Sequence, residues 1–279
     1  MEVKALKFGG LTAKRPIVQG GMGVGVSLSS LAGNVAKCGG IGTISSVHPG
    51  YREADFKENP FRANLRAIGN ELEKAKEIAN GGIIGFNFMT VMNHYEEYVK
   101  EAIAAGADFI VSGAGLPVNL AKYAAGTRAA ILPIVSSARA LKLIVKQWQR
   151  ADRLPDAVVV EGPLAGGHLG YPYGHLVDGT FDTLEDSLVD VVDYVRELEE
   201  KNGVIIPVIA GGGVRSHADM ERLMALGASG VQVGTKFVAT EECDAAPAFK
   251  QAYLRSRKED VQLIESPVGL AARTTRNSF

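Results

Sequence analysis

Along the chain, short runs of apolar, often β-branched residues alternate with longer stretches in which apolar positions recur every three or four residues. The pattern predicts a strand at 17–19 and a helix at 28–37, the helix closed by Gly39-Gly40. A strand at 41–45 is followed by a helix over 60–79 that stops at Asn80-Gly81-Gly82, where a left-handed residue is expected. Strands at 83–88, 109–112, 130–135 and 157–160 are followed by helices at 95–105, 116–125, 138–149 and 184–201. The last of these helices lies beyond a long loop rich in glycine, proline and aromatic residues that runs to 182. A strand at 205–209, a helix at 217–226 and a strand at 230–233 complete the series.

Strand runs this apolar are buried on both faces, which implies a parallel sheet covered by helices. Eight β-then-α units favour a closed (β/α)8 barrel, of the TIM type, over an open doubly wound sheet. The chain has no strict GxGxxG; the nearest approach, Gly211-Gly212-Gly213-Val214-Arg215-Ser216, ends on serine and follows the seventh strand instead of the first. Residues 1–15 contain Gly9-Gly10 and predict a small hairpin closing the barrel floor, and 247–257 read as helix. The expected division is a barrel over 1–240 and a short C-terminal helical segment over 241–279. The closing Arg273-Thr274-Thr275-Arg276-Asn277-Ser278-Phe279 shows neither cap nor taper and reads as the start of a longer tail.

Composition sharpens this picture at one point. The 279 residues include 33 glycines, against the roughly 20 that an average share of about 7% would give. With 46% hydrophobic and 22% charged residues the chain is a packed protein, and the glycines follow no collagen-like period. A net charge of −1 carries no electrostatic footprint for nucleic acid or an anionic membrane, so a small-molecule substrate is expected. Cys38 and Cys243 stand too far apart in sequence for a CxxC or metal-ligand pattern, and two cysteines make no disulfide framework. Neither a secretory signal nor an apolar run of membrane-spanning length is visible, and the expected location is the cytoplasm.

In such a barrel the chemistry sits on the loops that follow the strands. Most of these carry glycine, among them Gly20-Gly21-Met22-Gly23, Ser112-Gly113-Ala114-Gly115, the stretch from Glu161 to Gly170, Gly211-Gly212-Gly213 and Gly234-Thr235. One glycine after a strand is a turn device; their concentration on one face suggests room for a ligand. The loops after strands seven and eight, Ala210-Gly211-Gly212-Gly213 and Gly234-Thr235, have the bare backbone and hydroxyl that suit a phosphate. The absence of any Gly-Lys dipeptide argues against a nucleoside triphosphatase. Of five histidines, His94 and His217 start helices and His175 sits in a loop. His48 is an outside candidate for the pocket, and His168, between glycines in Ala165-Gly166-Gly167-His168-Leu169-Gly170, is the best placed to face it. No GxSxG elbow, HExxH helix or carboxylate-rich metal cluster occurs.

Together these segments resemble the FMN-dependent barrels of the nitronate monooxygenase (2-nitropropane dioxygenase) family and their relatives, the flavin-dependent enoyl-acyl carrier protein reductases. Four motifs carry the likeness: Pro16-Ile17-Val18-Gln19-Gly20-Gly21-Met22-Gly23; Glu161-Gly162-Pro163-Leu164-Ala165-Gly166-Gly167-His168-Leu169-Gly170; Pro207-Val208-Ile209-Ala210-Gly211-Gly212-Gly213; and Val231-Gln232-Val233-Gly234-Thr235-Lys236-Phe237. The resemblance implies that Gly21, Met22 and Gly23 pass under a flavin and that Asn87 and Met89 line its ring. By the same likeness Gly167 belongs to the cofactor-binding set, Gly211, Gly212, Gly213, Gly234 and Thr235 hold the phosphate of FMN, and His168 is the catalytic acid or base. The implied reaction is oxidation of alkyl nitronates by molecular oxygen. Pro133-Ile134-Val135-Ser136-Ser137 lacks the lysine that many of the monooxygenases carry after the fifth strand and is closer to the reductases, and the histidine loop ends Leu169-Gly170-Tyr171-Pro172 without an acidic residue. An NAD(P)H-dependent FMN enoyl-acyl carrier protein reductase is therefore the second expectation, and a flavin-free lyase or isomerase acting on a phosphorylated metabolite the third. The possibility of a homodimer stays open in the sequence.

Overall fold

In a computed structural model, residues 4–276 are described; Asn277, Ser278 and Phe279, the end of the tail read above as a continuation, lie outside them. Eight parallel strands close into a barrel: β3 (Ile17–Gln19), β4 (Ile41–Ser45), β5 (Ile83–Met89), β6 (Phe109–Gly113), β7 (Ala130–Val135), β8 (Val158–Glu161), β10 (Val208–Gly211) and β11 (Gly230–Val233). The order around the barrel follows the chain, and β11 pairs back onto β3 through Val231↔Ile17, Gln232↔Val18 and Val233↔Gln19. The (β/α)8 expectation is thereby met.

The two faces of each strand do different work. One set of side chains packs outward against the helices, where Phe86, Phe88, Val158 and Val160 join Leu72, Leu188 and Trp148 in the main core. The alternate set fills the barrel: Val18, Ile41, Ile83, Phe109, Val111, Leu132, Val159 and Ile209 form a second core with Leu6, Phe8 and Ala13. Those last three belong to β1 (Leu6–Phe8) and β2 (Leu11–Ala13), an antiparallel pair joined at Gly9-Gly10, which is the predicted floor.

Around the barrel run α1 (Ser29–Lys37), α2 (Pro60–Ala79), α3 (Tyr95–Ala104), α4 (Leu120–Tyr123), α5 (Ala138–Trp148), α7 (Leu184–Asn202) and α8 (His217–Ala225). Most ends are written locally. Asn59 caps α2 and Asn80 ends it at φ 47°, while α7 and α8 open on the capping boxes Thr183/Asp186 and Ser216/Asp219. α1 is different, since its cap position is Leu28, whose side chain has no oxygen to offer. Asp244, 216 residues away, supplies it: its carboxylate accepts the backbone N–H groups of Leu28 (2.8 Å), Ser30 (3.1 Å) and Leu31 (3.1 Å). Asp244→Ala would leave three donors without partners and is expected to lower stability by about 2–4 kcal/mol, read as a shift in the urea midpoint at unchanged m-value.

Four local expectations are corrected. α4 covers 120–123 where 116–125 was read as helix, because Pro117 and the positive φ of Ala114 and Gly115 keep the preceding residues in turns. β10 begins at Val208, not 205: Pro207 has no N–H for the ladder, and Ile205 is 85% exposed. The long loop after β8 holds two short elements, β9 (Gly167–His168) and α6 (Tyr173–Asp178). Past α9 (Thr235–Val238), residues 241–279 were read as a helical segment, yet among the described residues there only α10 (Pro247–Arg255) and a single turn at Lys258–Asp260 are helical. β12 (Val261–Glu265) and β13 (Ala271–Thr275) then form a hairpin, turned at Gly269 with φ 75°, and β13 pairs with β9. Among the described residues no helix is long and apolar enough to cross a membrane.

Candidate active site on the C-terminal face of the barrel

The lumen-facing positions one step above the packed interior decide what the barrel mouth can hold. Following the alternation upward from Val18, Val111, Leu132, Val159 and Ile209 gives Gly20, Gly113, Ile134, Glu161 and Gly211, and the same face of β5 brings up Asn87. Gln232 stands between Val18 and Gly211 in register. Three of these positions have no side chain, and Ile134 and Gln232 pack beside Gly113 and Gly211, so the layer carries fewer side chains than the filled one below.

The flanking loops pack against this layer by close approach. The loop after β3 is closed on itself by Met22 N–H to Ser27 Oγ (2.8 Å) and Ser27 N–H to Met22 O (2.9 Å). It lies so near β5 that a Cβ on Gly21 would overlap the Asn87 side chain, while one on Gly23 would meet Val47. Met22 reaches across to Gly234 at the end of β11, its Sδ 3.5 Å from where a Cβ would stand. The first and last strand loops thus meet, with Asn87 of β5 beside them, while Met89 stands two residues further along the same face of β5, opposite Gly113.

On the neighbouring part of the rim, next to β11, the loop after β8 folds over the one after β10. Gly162 N–H donates to Gly211 O (2.9 Å) and Ala165 N–H to Gly162 O (3.1 Å). Gly212 and Gly213 sit at φ +100° and +80°, a conformation that glycine adopts without strain, and their backbone N–H groups make no hydrogen bond among the described residues. Thr235 is exposed at the start of α9, with its Oγ1 within 4.0 Å of the Cβ position of Gly166. This group of bare N–H donors and a hydroxyl suits a phosphate. Gly167 is exposed and has open space around its Cβ position, so it contributes a turn at φ +78° and no close approach.

His168 lies on β9 at the edge of this opening, half-buried, with no side-chain hydrogen bond among the described residues; burial holds its pKa below the ordinary histidine value. Its imidazole is therefore neutral at pH 7 and free to take a proton. The loop that carries it is tied to the neighbouring strand end by Ser136 Oγ–H to Gly170 O (2.8 Å). His48 belongs elsewhere, since its ring packs edge-on against Phe56 and its Nδ1 lies 3.4 Å from Asn64 Nδ2 of α2. His94 and His217 lie beside carboxylates on helix surfaces. Among the described residues no three His, Cys, Asp or Glu side chains come together in a way that could hold a metal ion.

Sequence reasoning passed over Glu161. Ending the strand at Val160 made it the first residue of a loop, whereas it is the last of β8 and faces the lumen two residues above Val159. Burial alone pushes its carboxyl up to about 8. A period-two count from Val159 would have revealed it. Because the folded carboxyl keeps its proton above the ordinary 4.5, its neutral form stabilises the fold fully below that value, and the contribution is lost as pH rises through about 8. Glu161→Gln is expected to flatten this part of the pH dependence, as measured by urea unfolding of the flavin-free protein at about pH 6 and about pH 9.

A profile of the nitronate monooxygenase family matches residues 4–279. The chain is 25% identical over 302 residues to a probable nitronate monooxygenase of Staphylococcus saprophyticus, an alignment that covers 100% of this chain and 80% of that protein. To a probable nitronate monooxygenase of Bacillus subtilis it is 24% identical over 282 residues, covering 95% and 77%. Among solved structures, FabK from Thermotoga maritima superposes with a TM-score of 0.73 at 26% identity, over 95% of this chain and 72% of that one. Nitroalkane oxidase from Streptomyces ansochromogenes superposes at 0.68 and 22% identity, over 94% and 77%, and bears on the fold alone. A family profile that runs through the barrel and its tail places the chain in the nitronate monooxygenase family, as a flavin-dependent oxidoreductase.

Proposed function

We propose that this chain binds FMN across the C-terminal face of the barrel and oxidises alkyl nitronates with molecular oxygen, with His168 as the acid or base. The observation that carries the reading is the glycine-rich layer at the barrel mouth, with the Gly212–Gly213 turn beside it and the half-buried His168 on the adjoining loop after β8. The residues present fit the cofactor. Gly21, Met22 and Gly23 would form the bed under a flat ring, with Asn87 and Met89 along its edge. Gly211, Gly212, Gly213, Gly234 and Thr235 would receive its phosphate through backbone N–H groups and one hydroxyl. When bound, the flavin supplies electron transfer to oxygen.

The chain's own residues then orient and move protons. Neutral His168 holds or returns the proton at the carbon bearing the nitro group, a task helped by burial, which lowers its pKa and keeps the ring neutral. Glu161, whose carboxyl burial pushes up to about 8, would add little negative charge to the barrel mouth near pH 7 and would offer one O–H. Leu164, exposed on the loop after β8, keeps the rim apolar.

The test has two parts. Purified protein should carry a flavin spectrum with FMN as the released chromophore, and it should consume oxygen when given an alkyl nitronate. A colourless protein that takes up no added FMN would overturn the flavin reading and leave the flavin-free lyase or isomerase. One observation favours a second reading: the end of β7 presents Ile134 and Ser136 and no lysine. Rapid NAD(P)H oxidation with an enoyl thioester, without response to nitronate, would establish the reductase instead.

A further inference from the structure

β9 is two residues long and is not part of the barrel sheet; its ladder partner is β13, in the C-terminal hairpin. The pairing sets Ala272 opposite His168 and Arg273 opposite Gly167, and Leu169 N–H donates to Ala271 O at 2.8 Å just beyond the ladder. Arg273 also reaches the other end of the same loop, where its Nη2 donates to Pro163 O at 2.7 Å across 110 residues of sequence. The strand that presents His168 is therefore gripped at its entrance and at its exit by three consecutive tail residues.

The setting makes the grip strong. Ala271 packs with Ala165, Leu169 and Leu176 in a small apolar cluster of its own, and Leu263 of β12 lies against it. Arg273 is partly withdrawn from water there; its Nε is buried without an acceptor, and burial lowers its pKa. A partly buried guanidinium with no carboxylate partner among the described residues gives its charge-assisted bond to a carbonyl.

We propose that Arg273 is a positioning residue, which together with the β13 ladder fixes where His168 stands over the barrel mouth. It acts through the loop backbone. Antiparallel partners share a face, so Ala272 lies on the side of His168 and Arg273 on the other. The consequence is a barrel whose acid/base group is set by the tail, not by the strand it follows. Only the kinetic arm of the test below rests on the nitronate reading.

The full-length protein is compared with Arg273→Ala and Arg273→Gln by hydrogen exchange, by NMR titration of the His168 ring (assigned with His168→Gln) and by turnover. In both variants the Leu169 amide is expected to exchange roughly tenfold faster or more, as for loss of one charge-assisted hydrogen bond. The His168 pKa should rise toward its ordinary value as the loop hydrates, barrel-strand amides should stay protected, and kcat should fall at unchanged flavin content. Wild-type Leu169 protection and His168 titration in a folded variant would overturn the proposal. Loss of barrel protection in both variants would also overturn it, by making Arg273 part of the folding core. If exchange and titration move as expected while the wild type leaves nitronate untouched, the positioning role stands and the nitronate reading falls.

Discussion

Replacing His168 with alanine is expected to lower nitronate turnover by about 10²–10⁴-fold, the usual contribution of a general acid or base, while flavin content and unfolding midpoint stay close to those of the wild type. The expectation of a sound fold rests on the geometry. The imidazole makes no side-chain hydrogen bond among the described residues, and β9 is held through its backbone by Ala272, Arg273 and the Leu169–Ala271 bond. Removing the ring therefore takes away a proton carrier without loosening the strand. The pH profile gives an independent check. Burial lowers the His168 pKa, so activity that needs the neutral ring should rise as pH increases through a value below 6.5 and then level off. That acidic limb should vanish from the residual activity of the alanine variant. Turnover and profile both unchanged would reduce His168 to a structural loop residue.

The barrel was legible because its strands are buried on both faces, which leaves apolar runs such as Ile41-Gly42-Thr43-Ile44 and Ala157-Val158-Val159-Val160 standing clear of the polar helical stretches. Helix ends written within a few residues, such as Asn59-Pro60 and Thr183 with Asp186, were equally accessible. What escaped was non-local or very short. The Asp244 cap on α1 and the Arg273 bond to Pro163 span 216 and 110 residues, and nothing in the neighbouring sequence marks either side chain. β9 is too short to have a period, and β13 exchanges apolar for polar along its length, as Ala271-Ala272-Arg273-Thr274-Thr275, so its partner defines it. The site divides the same way. Its glycines could be seen as a cluster after the strands, whereas Glu161 shows only when the period-two count from Val159 is carried one residue past the apolar run.

The same glycines give the sharpest test of the phosphate site. Gly212→Ala is expected to destabilise the protein by more than about 2 kcal/mol and to weaken FMN retention at least about tenfold. Two costs combine. At φ +100° an L-residue is strained by roughly 1–2 kcal/mol, and the new Cβ would stand 3.0 Å from Gly162 O and 3.1 Å from Ala165 N. Both neighbours are backbone atoms, locked by Gly162 N–H to Gly211 O and Ala165 N–H to Gly162 O, so they cannot turn aside as a flexible side chain would. Relief requires the loop after β8 to move off the loop after β10, which spreads the N–H groups offered to the phosphate and displaces the start of the segment leading to His168. Gly167→Ala separates the two costs. Its φ is +78°, yet nothing lies within 4 Å of its Cβ position, so strain alone should appear, at about 1–2 kcal/mol, with FMN bound as in the wild type. Urea unfolding of the flavin-free proteins and fluorescence titration with FMN measure both quantities. Equal FMN affinity in the two variants would remove the phosphate from the Gly212–Gly213 turn.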